Sequence, residues 1–292
     1  MPMRRRVRAG VTAGVLAASL FVSGCDAVRH VLDQQAERSS SPSTTQPVTD
    51  PAQRVRQSDL ETKVGAGMNA RTPGGAMIVA SNGTRIPNGI VEASAKAAAS
   101  VRALDPQASK NALLVLVPRD DAEFKEYTGQ EAASQLANTV TGGGGRLPYV
   151  VMSDWTTKNP DTLTTRETLA HEAFHALTLE KLATERPLWL LEGWAEYVGQ
   201  RTVPQAPHKR DDISPHVPSD EELRGANAAD AYYTAFTFAR YLRDTHGHDK
   251  VMAFYSEAVR TKEPLEALLN KHFGKGLTAL ESGYLAWYPT FR

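Results

Sequence analysis

Apolar residues run unbroken from Ala112 to Val117, the pattern of a short strand buried on both faces. Ala76–Ala80 reads as a second strand, and Leu147-Pro148-Tyr149-Val150-Val151-Met152 as a third. Pro148 cannot donate to a sheet ladder, so it favours an edge position or a strand start for that third run. Between the first two strands, the alanine-rich segment from Asn88 to about Leu104 predicts a helix. Pro118 and Asp120 open a short helix through about Tyr127. From about residue 160 onward the spacing of apolar positions is helical. Thr164-Thr165-Arg166-Glu167 fits a capping box, with a hydroxyl at the N-cap and a carboxylate three residues on. That helix should run to about Lys181, and another should begin near Pro187. Pro204, Pro207, Pro215 and Pro218 around the charged run Lys209–Asp212 predict a loop over 202–218. Three or four helices fill about 229–288. The expected fold class is α+β, with a small mixed β-sheet in the N-terminal half packed on a mainly α-helical half.

The N-terminus breaks this pattern. Arg4, Arg5, Arg6 and Arg8 precede an apolar stretch from about Val11 to Val22, too short to span a bilayer comfortably. A basic start, a short apolar middle and small residues at the end read as a signal peptide over 1–24. Its end, Val22-Ser23-Gly24-Cys25, resembles a bacterial lipobox, which implies that Cys25 is lipid-modified and becomes the first mature residue. Cys25 is the sole cysteine, so no internal disulfide can form. The run Ser39–Pro47 is rich in Ser, Thr and Pro without apolar periodicity, so 25–58 reads as a flexible linker between a lipid anchor and a folded domain over 59–292. The expected location is the outer face of the bacterial cytoplasmic membrane. Lys plus Arg and Asp plus Glu both number 33, which gives no support for a nucleic-acid partner.

Candidate chemistry concentrates in one helical turn, His171-Glu172-Ala173-Phe174-His175. Histidines four apart stack on one helix face, where two imidazole nitrogens can share a zinc ion. Glu172 sits about 100° round the helix from His171 and is placed to take a proton from water activated by the metal. A zinc hydrolase needs a third protein ligand and one open position. Glu192 follows His175 by 17 positions, room for one helix to end and another to pack beside it. Glu196 lies one turn further on, placed to accept the free N–H of a ligating histidine.

His171–His175 followed by Trp189-Leu190-Leu191-Glu192-Gly193-Trp194-Ala195 resembles the gluzincin metallopeptidases, most closely over 164–200. The resemblance implies a zincin-like fold, His171, His175 and Glu192 as zinc ligands, Glu172 as general base, and a peptide or protein substrate. Tyr232-Tyr233-Thr234-Ala235-Phe236-Thr237-Phe238-Ala239-Arg240-Tyr241-Leu242 is similar to a further gluzincin segment whose first tyrosine binds the oxyanion. By register that is Tyr232, with Tyr233 as the alternative. The metzincin pattern, a third histidine soon after a glycine, is absent, since Ala-Leu-Thr-Leu-Glu follows His175. The G-x-M-E-N string with which aminopeptidases grip a free amine is also absent, and the Gly142–Gly145 loop that stands in about its place lacks the glutamate. The strand at 147–152 is a candidate for binding an extended peptide by β-addition, although a purely structural strand is the simpler reading. His246 and His248 flank Gly247 as helix-end residues, and His208 and His216 fall in the proline-rich loop. A metal-binding scaffold without turnover, or a zinc hydrolase of a cell-wall amide, are the alternatives to a peptidase.

Overall fold

The computed structural model describes residues 69–291 apart from 82, 133–134, 141–147, 180–181, 203–208 and 226–227. The signal segment, Cys25, the 25–58 linker, Gly142–Gly145 and His208 lie outside the described residues.

Five strands form one mixed sheet: β1 (Asn69–Arg71), β2 (Ala76–Ala80), β3 (Leu113–Val117), β4 (Ala137–Val140) and β5 (Tyr149–Met152), in the order β1-β2-β3-β5-β4. The β2–β3 and β3–β5 pairs are parallel, and the two outer pairs are antiparallel. The parallel β2–β3 pair needs a long crossover, supplied by helix α1 (Asn88–Leu104). Period-two alternation explains the unbroken apolar run of β3. Leu113, Val115 and Val117 enter the main core, while Leu114 and Leu116 enter a smaller one with Val79, Tyr149, Val151 and Phe124. Phe124 belongs to α2 (Asp121–Thr128), which covers that second face.

The main core is shared with the helical half. A short helix α3 (Asp154–Lys158) leads into α4 (Leu163–Thr178), and α5 (Leu188–Arg201), α6 (Asp220–Arg224), α7 (Ala228–His246), α8 (His248–Arg260), α9 (Leu265–Phe273) and α10 (Leu277–Trp287) follow. Every residue from Thr168 to Thr178 is buried, because α4 is enclosed by α1, α5 and the sheet. A helix buried on all sides is the central element of a domain. The molecule is therefore mixed α and β, as expected. Among the described residues no helix is long and apolar enough to cross a membrane.

Three local expectations need correction. The N-cap of α4 is Thr162, whose Oγ1 accepts from Thr165 N at 3.1 Å, so the box expected at Thr164 and Glu167 does not form. Thr162, Thr164 and Thr165 all offer a hydroxyl, and the chain turns one residue after Asp161. The helix also stops at Thr178 instead of about Lys181. Pro148 stands just before β5 as a strand-start residue, and β5 is paired on both sides, to β3 and β4. It has no free ladder for an added strand; the outer position on that side belongs to β4, which the sequence pattern did not reveal. A capping box does occur downstream, where Ser219 and Glu222 start α6 immediately after the proline-rich loop.

Candidate metal centre

The local sequence explains why α4 and α5 lie so close. Gly199 of α5 faces Glu167, and a Cβ built there would meet the Glu167 carbonyl oxygen at 3.0 Å. Gly193 lies against α7, where an added Cβ would come within 2.6 Å of the Ala235 carbonyl oxygen. Glycine inside a helix costs about 1 kcal/mol relative to alanine, so these two positions trade propensity for close helix approach. Trp189 packs edge-on against Phe238 of α7 at 5.1 Å, and Trp194 packs near Tyr255 of α8. Pro187 offers no capping side chain, and the first turn of α5 is instead satisfied by Leu188 N donating to Asp220 Oδ1 at 2.7 Å.

This packing brings His171, His175 and Glu192 together as a buried group whose ligand atoms all lie within 4.8 Å of one another. His171 Nε2 and His175 Nε2 are 3.1 Å apart, and each is 3.3 Å from Glu192 Oε2. Donors about 2.0–2.2 Å from one tetrahedral ion stand about 3.3–3.6 Å from each other, close to this spacing. Each Nε2 carries at most one hydrogen and an ionised carboxylate oxygen carries none. With Glu192 ionised, no arrangement of ring protons satisfies all three contacts at once. A cation among the three atoms does. Glu192 is completely buried, and its Oε1 has no hydrogen-bond partner among the described residues. Burial opposes ionisation of Glu192, but in the metal-free cluster the positive charge and hydrogen bonds of His175 and His171 in their protonated form outweigh it and hold its carboxyl well below the usual range. The three residues thus fit a metal ion.

On its other ring nitrogen, His171 Nδ1 is 3.2 Å from Glu196 Oε1. A hydrogen on Nδ1 would point to Glu196, and with a metal bound the Nε2 lone pair would face the donor cluster. Glu196 in turn lies near Glu167, which accepts a hydrogen bond from Gln200. Burial first, then the Glu196 carboxylate, push the Glu167 carboxyl up to about 7. His175 has no counterpart, since its Nδ1 is buried without a partner among the described residues. Side-chain exposure falls from His171 to His175 to Glu192, so the side of the cluster nearest solvent is that of His171.

Glu172 is buried beside the cluster, and burial pushes its carboxyl up against the opposing pull of His171 and His175. Its Oε2 accepts a hydrogen bond from Thr139 Oγ1 of β4. Thr139 has no motif to announce it, because it reaches the helix across 33 positions of chain. Tyr232 and Tyr233 separate clearly. The Tyr232 ring centroid is 6.4 Å from that of His171. The Tyr233 hydroxyl points away to the 209–213 segment, accepting from Arg210 N at 2.9 Å and lying 3.4 Å from Tyr288 Oη. His246 and His248 sit outside the cluster, at the α7–α8 junction, where His246 packs at a tilt against Phe273 and His248 Nε2 lies 3.2 Å from the Leu104 carbonyl. His216 is on the surface and pairs with Glu222.

No protein-family model and no curated protein matches this chain. The chemistry of the site therefore rests on its own residues.

Proposed function

We propose that the protein is a zinc-dependent hydrolase, a metallopeptidase of the gluzincin type on a zincin-like fold, cleaving peptide bonds at the cell surface. The observation that carries this reading is the buried His171–His175–Glu192 donor set with Glu172 beside it on the same helix. Two imidazoles and one carboxylate are a donor set suited to catalytic zinc, which keeps a further position for water or substrate. When bound, zinc supplies Lewis acidity that eases deprotonation of water and polarises a substrate carbonyl. His171, His175 and Glu192 would hold the ion, with Glu196 orienting His171. Glu172 accepts a proton from the attacking water and delivers it to the leaving amine. Tyr232, on the His171 side, donates its phenolic hydrogen to the developing oxyanion. The N-terminal pattern supports export and a lipid tether at Cys25.

The near-complete burial of Glu172 and all three donors favours a second reading, a structural metal site in an envelope protein without turnover. One experiment separates the two. The full chain is assayed for zinc by elemental analysis and for cleavage of a mixed peptide library, beside the variant Glu172→Gln. The variant should retain zinc and lose about 10²–10⁴-fold in kcat. Undiminished cleavage by the variant removes Glu172 from the reaction. Zinc without cleavage in the native chain leaves the structural reading.

A further inference from the structure

Resting on that hydrolase reading, we infer that Thr139 on the outer strand β4 is a positioning residue that aims the Glu172 carboxylate. Thr139 Oγ1 lies 2.5 Å from Glu172 Oε2 and 2.9 Å from the Glu172 carbonyl oxygen. One hydroxyl on the sheet therefore lies within hydrogen-bond distance of the same residue at its backbone and at its tip, its single hydrogen reaching the carboxylate oxygen at the shorter distance. Both residues are almost fully buried, Thr139 at 1% and Glu172 at 3% exposure. Thr139 is the one hydrogen-bonding partner of the Glu172 side chain among the described residues.

The register of β4 makes this contact specific. Ala137 and Thr139 alternate with Asn138 and Val140, and Val140 belongs to the small core on the far face. Ala137 enters the main core, so Thr139 shares the face turned toward α4. A shift of one residue would carry the hydroxyl to the wrong face. The antiparallel ladder to β5, with Thr139 opposite Val150, holds that register. A glutamate side chain has three rotatable bonds, and α4 fixes none of its outer ones. The Thr139 hydroxyl restricts them and leaves the second carboxylate oxygen as the one free to meet water. Misplacement of a proton acceptor by about 1 Å can cost 10²-fold in rate, so this anchor should be felt in turnover, with little effect on substrate affinity.

The test uses the full chain loaded with zinc and the substitutions Thr139→Val and Thr139→Ser. Valine keeps the branched shape and deletes the hydroxyl; serine keeps the hydroxyl and deletes the methyl. We expect Thr139→Val to retain its zinc and its KM within about twofold while kcat falls about 10–100-fold. Thr139→Ser should recover kcat to within a few-fold of the native chain. A second readout does not depend on turnover: in a crystal structure of the metal-free Thr139→Val protein, the Glu172 carboxylate should leave the position it holds in the native chain. Native kcat in Thr139→Val overturns the inference, as does equal loss in both variants, which would mark a packing effect. Loss of zinc from Thr139→Val also overturns it. If the native, zinc-loaded chain cleaves nothing, the hydrolase reading falls on its own, and the Glu172 position in the crystal still decides the anchor. Should Thr139→Val not fold, a serine variant with lost turnover or a displaced Glu172 carboxylate overturns the inference, and a serine variant with native turnover and placement upholds it.

Discussion

His171 faces a different carboxylate with each ring nitrogen, Nε2 toward Glu192 and Nδ1 toward Glu196. The two contacts differ in kind. Glu192 shares the donor cluster, whereas Glu196 sets which nitrogen keeps its lone pair for that cluster. His175 lacks such a partner among the described residues, so orientation of the pair depends on His171. Replacing Glu196 by alanine should weaken zinc affinity about 10–100-fold, while Glu196→Gln, whose amide oxygen still accepts from Nδ1, should lose much less. Competition with a metal chelator measures both. Equal affinity in the alanine variant and the native chain would mean that the 3.2 Å contact does not govern metal binding. The pairs His171/His175 and Glu192/Glu196 were legible in the sequence because helical periodicity stacks each pair on one face of its own helix. Thr139 was not, because its role exists only once a strand and a helix far apart in the chain are packed together.

Helices α4 and α5 meet through glycine as well as through apolar side chains. Gly193 directly follows Glu192 and turns its bare Cα toward α7, where an added methyl would overlap the Ala235 backbone. Backbone cannot swing aside as a side-chain tip can, so the helices themselves must part. Gly193→Ala should therefore lower stability by about 1–3 kcal/mol despite alanine's better helix propensity. Urea unfolding of the two proteins would show this as a lower midpoint at similar slope, and an unchanged or raised midpoint would refute the close approach. The same elements show what the chain reveals and what it conceals. Strands β2 and β3, helix α1 and the start of α5 follow from apolar runs, alanine content and proline placement. The four residues of β4, Ala-Asn-Thr-Val, mix polar and apolar types and give no strand signal, although they carry Thr139. Helices α3 and α6, five residues each, are too short for periodicity. The cap of α4 was misplaced because three threonines compete for it, and only the tertiary position of the turn at Asn159–Thr162 selects among them.

At the scale of the whole molecule, the donor set joins two parts of the fold. His171 and His175 belong to α4, which is packed on the sheet, and Glu192 belongs to α5, which is packed on α7. An ion held by all three is therefore a cross-link between α4, packed on the sheet, and α5, packed on α7. It binds the folded chain, since the unfolded chain does not bring positions 175 and 192 into one cluster. Linkage then requires that zinc stabilise the fold by RT ln(1 + [Zn]/Kd), about 2.7 kcal/mol at a free concentration 100 times Kd. For a folded region of this size, each kcal/mol moves the thermal midpoint by about 2–4 °C, so zinc should raise it by about 5–10 °C. A chelator should reverse the shift. In His175→Ala the shift should collapse, because two donors no longer bridge the helices with the same affinity. Differential scanning fluorimetry of the full chain, native and His175→Ala, each alone, with zinc, and with zinc and chelator, measures these shifts. An equal zinc shift in both proteins would place the bound ion elsewhere on the chain, and no shift in the native protein would mean that the cluster holds no zinc at that concentration.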